Sequence, residues 1–238
     1  MSADSDAPLV RVEGPSDGEF RWVVVVSDER GRNDLDVLIA GALERTGRDS
    51  TVQLWIGDID PADDAIAEAH GFVPYRDLWQ LRCALPTTRS TIATRAFEMA
   101  DLRELVEVNN RAFRWHPEQG GRTDEDLSRT MAEPWFEPEG LRVHHVDGRL
   151  AGFCWTKVHA DYEPPLGEIF VIAVDPRFHG QGLGVPMTLA GLDWLSDRGL
   201  RHGMLYVEAD NDAANATYTR IGFTHQQTNR AYRGDPRR

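Results

Sequence analysis

The residues best suited to chemistry in this chain lie in one run, "EIFVIAVDPRFHGQGLGVPM", from Glu168 to Met187. A carboxylate opens an apolar strand, and Gly180, Gly182 and Gly184 separate that strand from a helix. Ordered glycine is entropically costly, so three together imply that something must approach the backbone closely. A strand running through a glycine turn into a helix aims several unpaired N–H groups and a positive dipole end at one point, where a phosphate or pyrophosphate can bind. The nicotinamide fingerprint fits poorly, because no acidic ribose-binding residue follows at the right distance. The Lys-Ser/Thr pair of a nucleotide triphosphate loop is absent as well. A turn that uses glycine for steric reasons alone stays open as the alternative.

Bulk properties narrow the classes. The 238 residues are 41% hydrophobic, enough for one large or two smaller domains with real cores. No apolar run approaches the roughly 18 residues of a membrane span, and the N-terminal "MSADSDAPLV" lacks the basic and apolar regions of a secretion signal. The expectation is a cytoplasmic protein and a monomer. Twenty-six Lys and Arg against 39 Asp and Glu give a net charge of −13. That excludes a general nucleic-acid binder, and any phosphorylated ligand must be held locally by backbone amides and a few arginines. Two cysteines, Cys83 and Cys154, and eight histidines show no metal-ligand spacing, so no metal is expected.

The chain repeats itself. "LWIGDIDPADDAIAEAHGF" (54–72) aligns without gaps on "LYVEADNDAANATYTRIGF" (205–223), residue 54 on residue 205, an offset of 151. Extended upstream, the same offset puts Val23 on Val174, Gly31 on Gly182, and the helical pattern 34–47 on 185–198. A duplicated α/β unit follows. Where the second copy has "HGQGLG" the first has "DERGRN", with Asp28 and Glu29 where an anion would sit, so the first copy reads as a scaffold that has lost its ligand site.

The elements that must position the run can be read in order. "LPTTRSTIAT" (85–94) reads as a linker, and a helix is expected over 98–113 and another over 123–132. Asp147-Gly148 marks a two-residue hairpin turn. Then come strand 168–174, helix 183–197, strand 203–209, helix 212–220 and strand 223–232. Domains are expected at 1–85 and 95–238, joined by 86–94.

The run from the strand through "VDPRFHGQGLG", "LYVEADNDAA" and "YTRIGF" resembles the acetyl-coenzyme A binding core of the GNAT N-acetyltransferases. That family's signature is Arg/Gln-x-x-Gly-x-Gly/Ala; here Gly182 and Gly184 are in place and His179 stands at the first position. Within it, "VNNRAFRWHPEQGGRTDEDL", "EPWFEPEG", "GFCWTKVH" and "LYVEADNDAA" are similar to the mycothiol synthase family, well over residues 95–232 and loosely over 20–85. The first domain is complete in that family, and the resemblance leads to the expectation of a shortened first domain here, beginning near the strand before the pseudo-glycine loop. The resemblance implies an α/β mixed-sheet, tandem GNAT fold with a partial, degenerate N-terminal copy. It also implies acetyl-CoA as co-substrate and a small pseudo-disaccharide amine as acceptor, with no membrane partner.

Acetyl transfer to an amine needs a neutral amine, a polarised thioester carbonyl and a proton for the departing thiolate. Glu168 sits where a carboxylate can deprotonate the incoming ammonium, and the resemblance implies that this position contacts the amine. Tyr218 resembles the tyrosine that protonates the coenzyme A thiolate. The coenzyme is expected on Ile172, Ala173 and Val174, on His179, Gly180, Gln181, Gly182, Leu183, Gly184 and Val185, and along Asn211, Asp212, Ala213, Ala214, Asn215 and Ala216. Amides of Ala173 and Val174 are available if the strand is splayed there. By resemblance, Glu118, Lys157, Glu168 and Tyr206 bind the acceptor. Trp115, His116 and Trp135 shape its pocket or simply pack. Neither cysteine has a His and an acid at catalytic spacing, which favours direct attack in a ternary complex over an acyl-cysteine. Two other readings remain: acetylation of a different small amine, and a non-catalytic acetyl-CoA-binding protein.

Overall fold

The structure, a computed structural model, describes residues 9–27, 34–46, 50–116 and 119–234. The chain divides into two compact units. The first comprises residues 1–80, 207–211 and 226–238, the second residues 81–206 and 212–225.

In the first unit β1 (Val10–Glu13) lies antiparallel to β2 (Trp22–Val26), which runs parallel to β3 (Val52–Ile56). The next strand is β10 (Thr224–Gly234), antiparallel to β3 with Tyr232 opposite Leu54, and then β4 (Phe72–Ala84) as far as Gln80. Helices α1 (Leu35–Thr46) and α2 (Asp63–Ala69) complete it. Val24, Val26, Ile39, Leu54, Ile56, Phe72 and Tyr232 form its closed core. The C-terminal strand therefore counts with the first unit, not with the residues just before it in sequence. A continuous domain over 95–238 misses this because the strand's pairing partner is β3, far away in the chain.

The second unit has strand order β4-β9-β8-β7-β6-β5, with β5 (Arg95–Ala96), β6 (Leu141–Val146), β7 (Arg149–His159), β8 (Leu166–Val174) and β9 (His202–Glu208). The β6–β7 turn is the expected hairpin: Asp147 and Gly148 both take positive φ, 51° and 74°. Helix α3 (Leu102–Ala112) covers one face of β7 and β8, and α5 (Gly184–Asp197) covers the other. Gly191 explains how closely α5 can lie: a Cβ there would meet Cys154 Sγ at 2.4 Å. Helix α4 (Asp124–Met131) is fixed by a capping box, Asp126 N–H to Thr123 Oγ1 at 3.1 Å and Thr123 N–H to Asp126 Oδ2 at 3.0 Å. Helix α6 (Asp212–Ile221) follows β9.

The stretch read as a linker carries no helix or strand over 86–94 but is strapped to α5. Ser90 N–H donates to Asp193 at 2.9 Å, Ser90 Oγ to the Pro186 carbonyl at 2.7 Å, and Arg89 pairs with Asp197 at 2.6 Å. No helix among the described residues is long and apolar enough to cross a membrane.

Candidate active site

The site begins where two parallel strands part. β8 pairs with β9 only from Gly167↔Gly203 to Ile169↔Leu205, and β8 then runs five residues further, to Val174. A bulge accompanies the parting: Trp155 faces Val171 and Thr156 faces Ile169, so Phe170 is the extra residue. The first unit shows the opposite. There β2 and β3 stay paired to their ends, Val26↔Ile56, so no opening exists between them. Pairing also corrects the upstream part of the repeat. Leu54 faces Val24 and Leu205 faces Ile169, so β2 matches β8 six residues out of the gapless register, and Val23 does not correspond to Val174. The loop "DERGRN" lies outside the described residues.

Beyond the parting, Asp175 N–H donates to the Ala151 carbonyl at 2.9 Å, on the β7 side. Amides alternate along a strand, so Ala173 also points to β7 while Ile172 and Val174 point to the opened side. Of the two amides expected to be available, only that of Val174 is. The His179 ring lies on the same side, with Nε2 3.2 Å from the Val174 carbonyl oxygen. Gly180 and Gly182 then take φ of 78° and 73°, and at neither would a Cβ meet any atom within 4 Å. Positive φ demands glycine here, and the space that a side chain would fill is open. Leu183 is the N-cap of α5 and, unlike Thr123 at α4, offers no side-chain cap, so the first amides of α5 face outward from Gly184 and Val185. Gln181 is exposed between the glycines. An anionic coenzyme fits this cradle.

The loop is anchored by Asp175, which is fully buried. Its Oδ1 accepts the Arg177 amide at 3.0 Å, and its Oδ2 accepts Arg111 of α3 at 2.7 Å and Arg177 at 2.5 Å. Burial pushes the carboxyl upward, but the hydrogen bonds from Arg177 and Arg111 outweigh it and hold Asp175 well below the usual carboxylate range.

Glu168 stands one residue before the last paired position, on the sheet face that carries α3. Its partner in register is Lys157. Facing residues of an antiparallel pair share a face, and so do residues two apart on one strand, which gathers Lys157, His159 and Glu168. Glu168 is 7% exposed, and its Oε2 lies 2.7 Å from His159 Nε2. Lys157 Nζ sits 4.9 Å from the centre of the Trp135 ring, and Trp135 packs in turn against Trp155 and Phe170. Trp135 is thus both pocket wall and packing. Met204 and Tyr206 of β9 share this face by register, and Tyr206 is exposed. His116 stacks edge-on to Trp115, itself 61% exposed. Glu118 lies outside the described residues.

On the α5 side, Tyr218 of α6 is 7% exposed and lies edge-on to Phe223. Thr217 beside it would be 3.9 Å from a Cβ on Gly184, so α6 borders the first turn of α5. Burial, with a contribution from neighbouring Cys154, pushes the Tyr218 phenol up and keeps it protonated. Asp212, Ala213, Ala214, Asn215 and Ala216 form the first turns of α6; Asn211 precedes them, its amide donating to the Glu208 carbonyl at 3.1 Å. Burial also pushes both thiols, Cys83 and Cys154, up to about 12, which suits neither for nucleophilic work. A cavity of about 520 Å³ lies in the first unit beside Arg76 and Arg230. Their guanidinium groups are already held by Glu208 at 2.9 Å and by Asp77 at 2.6 Å, so both arginines are compensated within the first unit.

The sequence singles out the loop and Glu168 as candidates and gives no role to His159, Asp175 or Arg111. Only His159 left a signal, two residues beyond Lys157 on a strand.

The profile of the acetyltransferase (GNAT) family matches residues 102–223. The mycothiol acetyltransferase of Nocardia farcinica is 43% identical over 219 residues, covering 87% of this chain and 72% of that protein. The mycothiol acetyltransferase of Mycobacterium avium is 40% identical, covering 99% of this chain and 80% of that protein. Among solved structures, a GCN5-related N-acetyltransferase from Sphaerobacter thermophilus superposes with a TM-score of 0.70 at 24% identity, over 91% of this chain and 73% of that one. A tandem GNAT protein from the clavulanic acid biosynthesis pathway gives 0.63 at 17% identity, over 95% and 78%. An opened β8–β9 pair, an uncapped glycine loop and these relatives agree: the chain belongs to the GNAT acetyltransferase family and is an acetyl-transferring enzyme.

Proposed function

We propose that this enzyme is a mycothiol acetyltransferase, moving acetyl from acetyl-CoA to the cysteinyl amine of a cysteine–glucosamine–inositol pseudo-disaccharide by direct attack. The observation that carries the mechanism is the buried Glu168 on the paired stretch of β8, two residues before the strand opens at Phe170. Acetyl-CoA supplies the activated thioester. Glu168 accepts one proton of the acceptor ammonium, the neutral amine nitrogen bonds to the acetyl carbon as the carbon–sulfur bond breaks, the Tyr218 hydroxyl supplies the proton to the sulfur, and the second proton that the nitrogen sheds on becoming an amide restores the tyrosine hydroxyl through solvent. The opened amides of Ile172 and Val174 and the first turn of α5 bind the coenzyme. Lys157, half-buried, and Tyr206, exposed, lie on the Glu168 face and hydrogen-bond the hydroxyls of the acceptor.

The test is a mass-spectrometric acetylation assay with the pseudo-disaccharide beside a panel of other amines. Wild type should prefer the pseudo-disaccharide, and Glu168→Gln should lower kcat/KM about 100-fold or more. Tyr218→Phe should lower kcat about tenfold or more with acetyl-CoA binding intact. Preference for an unrelated amine would sink the acceptor assignment, and binding of acetyl-CoA with transfer to no amine would sink the catalytic one.

A further inference from the structure

A general base must present one oxygen to its proton and keep that oxygen still. Glutamate is poorly suited to this by itself, because its terminal torsion is broad. Here Glu168 Oε2 is engaged by His159 Nε2 at 2.7 Å, and among the described residues this is the hydrogen bond that its side chain makes. The contact is diagonal: His159 faces Leu166 in register, while Lys157 faces Glu168. Lys157 does not take that place, because its ammonium is drawn over the Trp135 ring 4.9 Å away. The imidazole is itself braced by Tyr162, edge-on at 5.7 Å and 76°. An ionised carboxylate accepts only, so the nitrogen facing it must carry the proton.

Resting on the reading of Glu168 as the base, we infer that His159 is its positioning residue. The imidazole, protonated at Nε2, donates to Oε2 and locks the carboxylate so that Oε1 meets the acceptor amine. The lysine, parked on Trp135, leaves the carboxylate un-neutralised. His159 touches no reacting atom and acts through Glu168.

Three variants test this on any amine that wild type acetylates. His159→Phe keeps bulk without a donor and should lower kcat about tenfold or more, with KM and Kd for acetyl-CoA within about twofold. His159→Gln retains an N–H donor and should recover kcat to within about threefold. In a Glu168→Gln background, His159→Phe should add little, because two residues acting as one unit are non-additive. Unchanged kcat in His159→Phe, or the same fractional loss in the Glu168→Gln background, overturns the inference. A failed pseudo-disaccharide assay with these effects intact on another amine would sink only the acceptor assignment. Independently of any acceptor, side-chain nitrogen NMR of wild type should show His159 as the Nε2–H tautomer, with a signal that shifts in Glu168→Gln. An Nδ1–H tautomer or no shift overturns the inference.

Discussion

At the scale of single residues, two ionisable groups beside the candidate site are buried. Burial pushes the Tyr218 phenol, protonated at neutral pH in any case, further up, and two arginines keep Asp175 ionised inside the protein. Asp175 was not singled out by sequence reasoning, since an Asp-Pro pair after a strand reads as an ordinary turn. Its partner Arg111 is 64 positions away. Because its folded-state pKa lies below the unfolded value of about 3.9, its stabilisation is present above pH ~4 and is lost as pH falls further. Asp175→Asn should therefore destabilise the fold at pH 7 by about 2–3 kcal/mol, after discounting for the partial exposure of both arginines. In urea titrations the gap to wild type should narrow below pH 4; a gap that stays constant with pH would count against the ion-pair account.

At the scale of elements, the decisive event is that β8 leaves β9 after Ile169 while β2 stays with β3 to the end. The glycine loop was legible from sequence as a turn between a strand and a helix, because three glycines in five residues mark a backbone that must turn sharply or be approached closely. The splay was not legible, because pairing between strands is set by long-range registry and a bulge at Phe170, neither of which a local pattern encodes. Gly182 tests the element directly. Its φ of 73° and empty surroundings make Gly182→Val doubly unfavourable: a strained β-branched residue and an occupied cradle. KM for acetyl-CoA should rise about tenfold or more while circular dichroism stays that of wild type. An unchanged KM would remove the loop from the coenzyme site.

At the scale of the whole molecule, the C-terminal strand belongs to the core of the first unit. Tyr232 is fully buried there, and its hydroxyl donates to Asp64 at 2.8 Å. Arg230 pairs with Asp77 and Asp64 at 2.6 and 2.8 Å. Tyr232→Ala should cost about 3–5 kcal/mol in the first unit. Ending the chain after residue 225 should expose the edge of β3 and yield aggregated protein by size-exclusion chromatography; a well-behaved truncated monomer would show that β10 is dispensable.

The sequence by itself determined what short-range patterns can specify: the helices and strands of the second unit within a few residues, the Asp-Gly hairpin, the glycine turn before α5 and, through its motifs, the kinship to acetyltransferases. Only the tertiary structure decided which unit owns β10, where β8 and β9 part, that 86–94 straps onto α5, and that Glu168 is held by His159. Each of these is a contact between residues that the chain separates, or a strand register, and local propensity is silent about both.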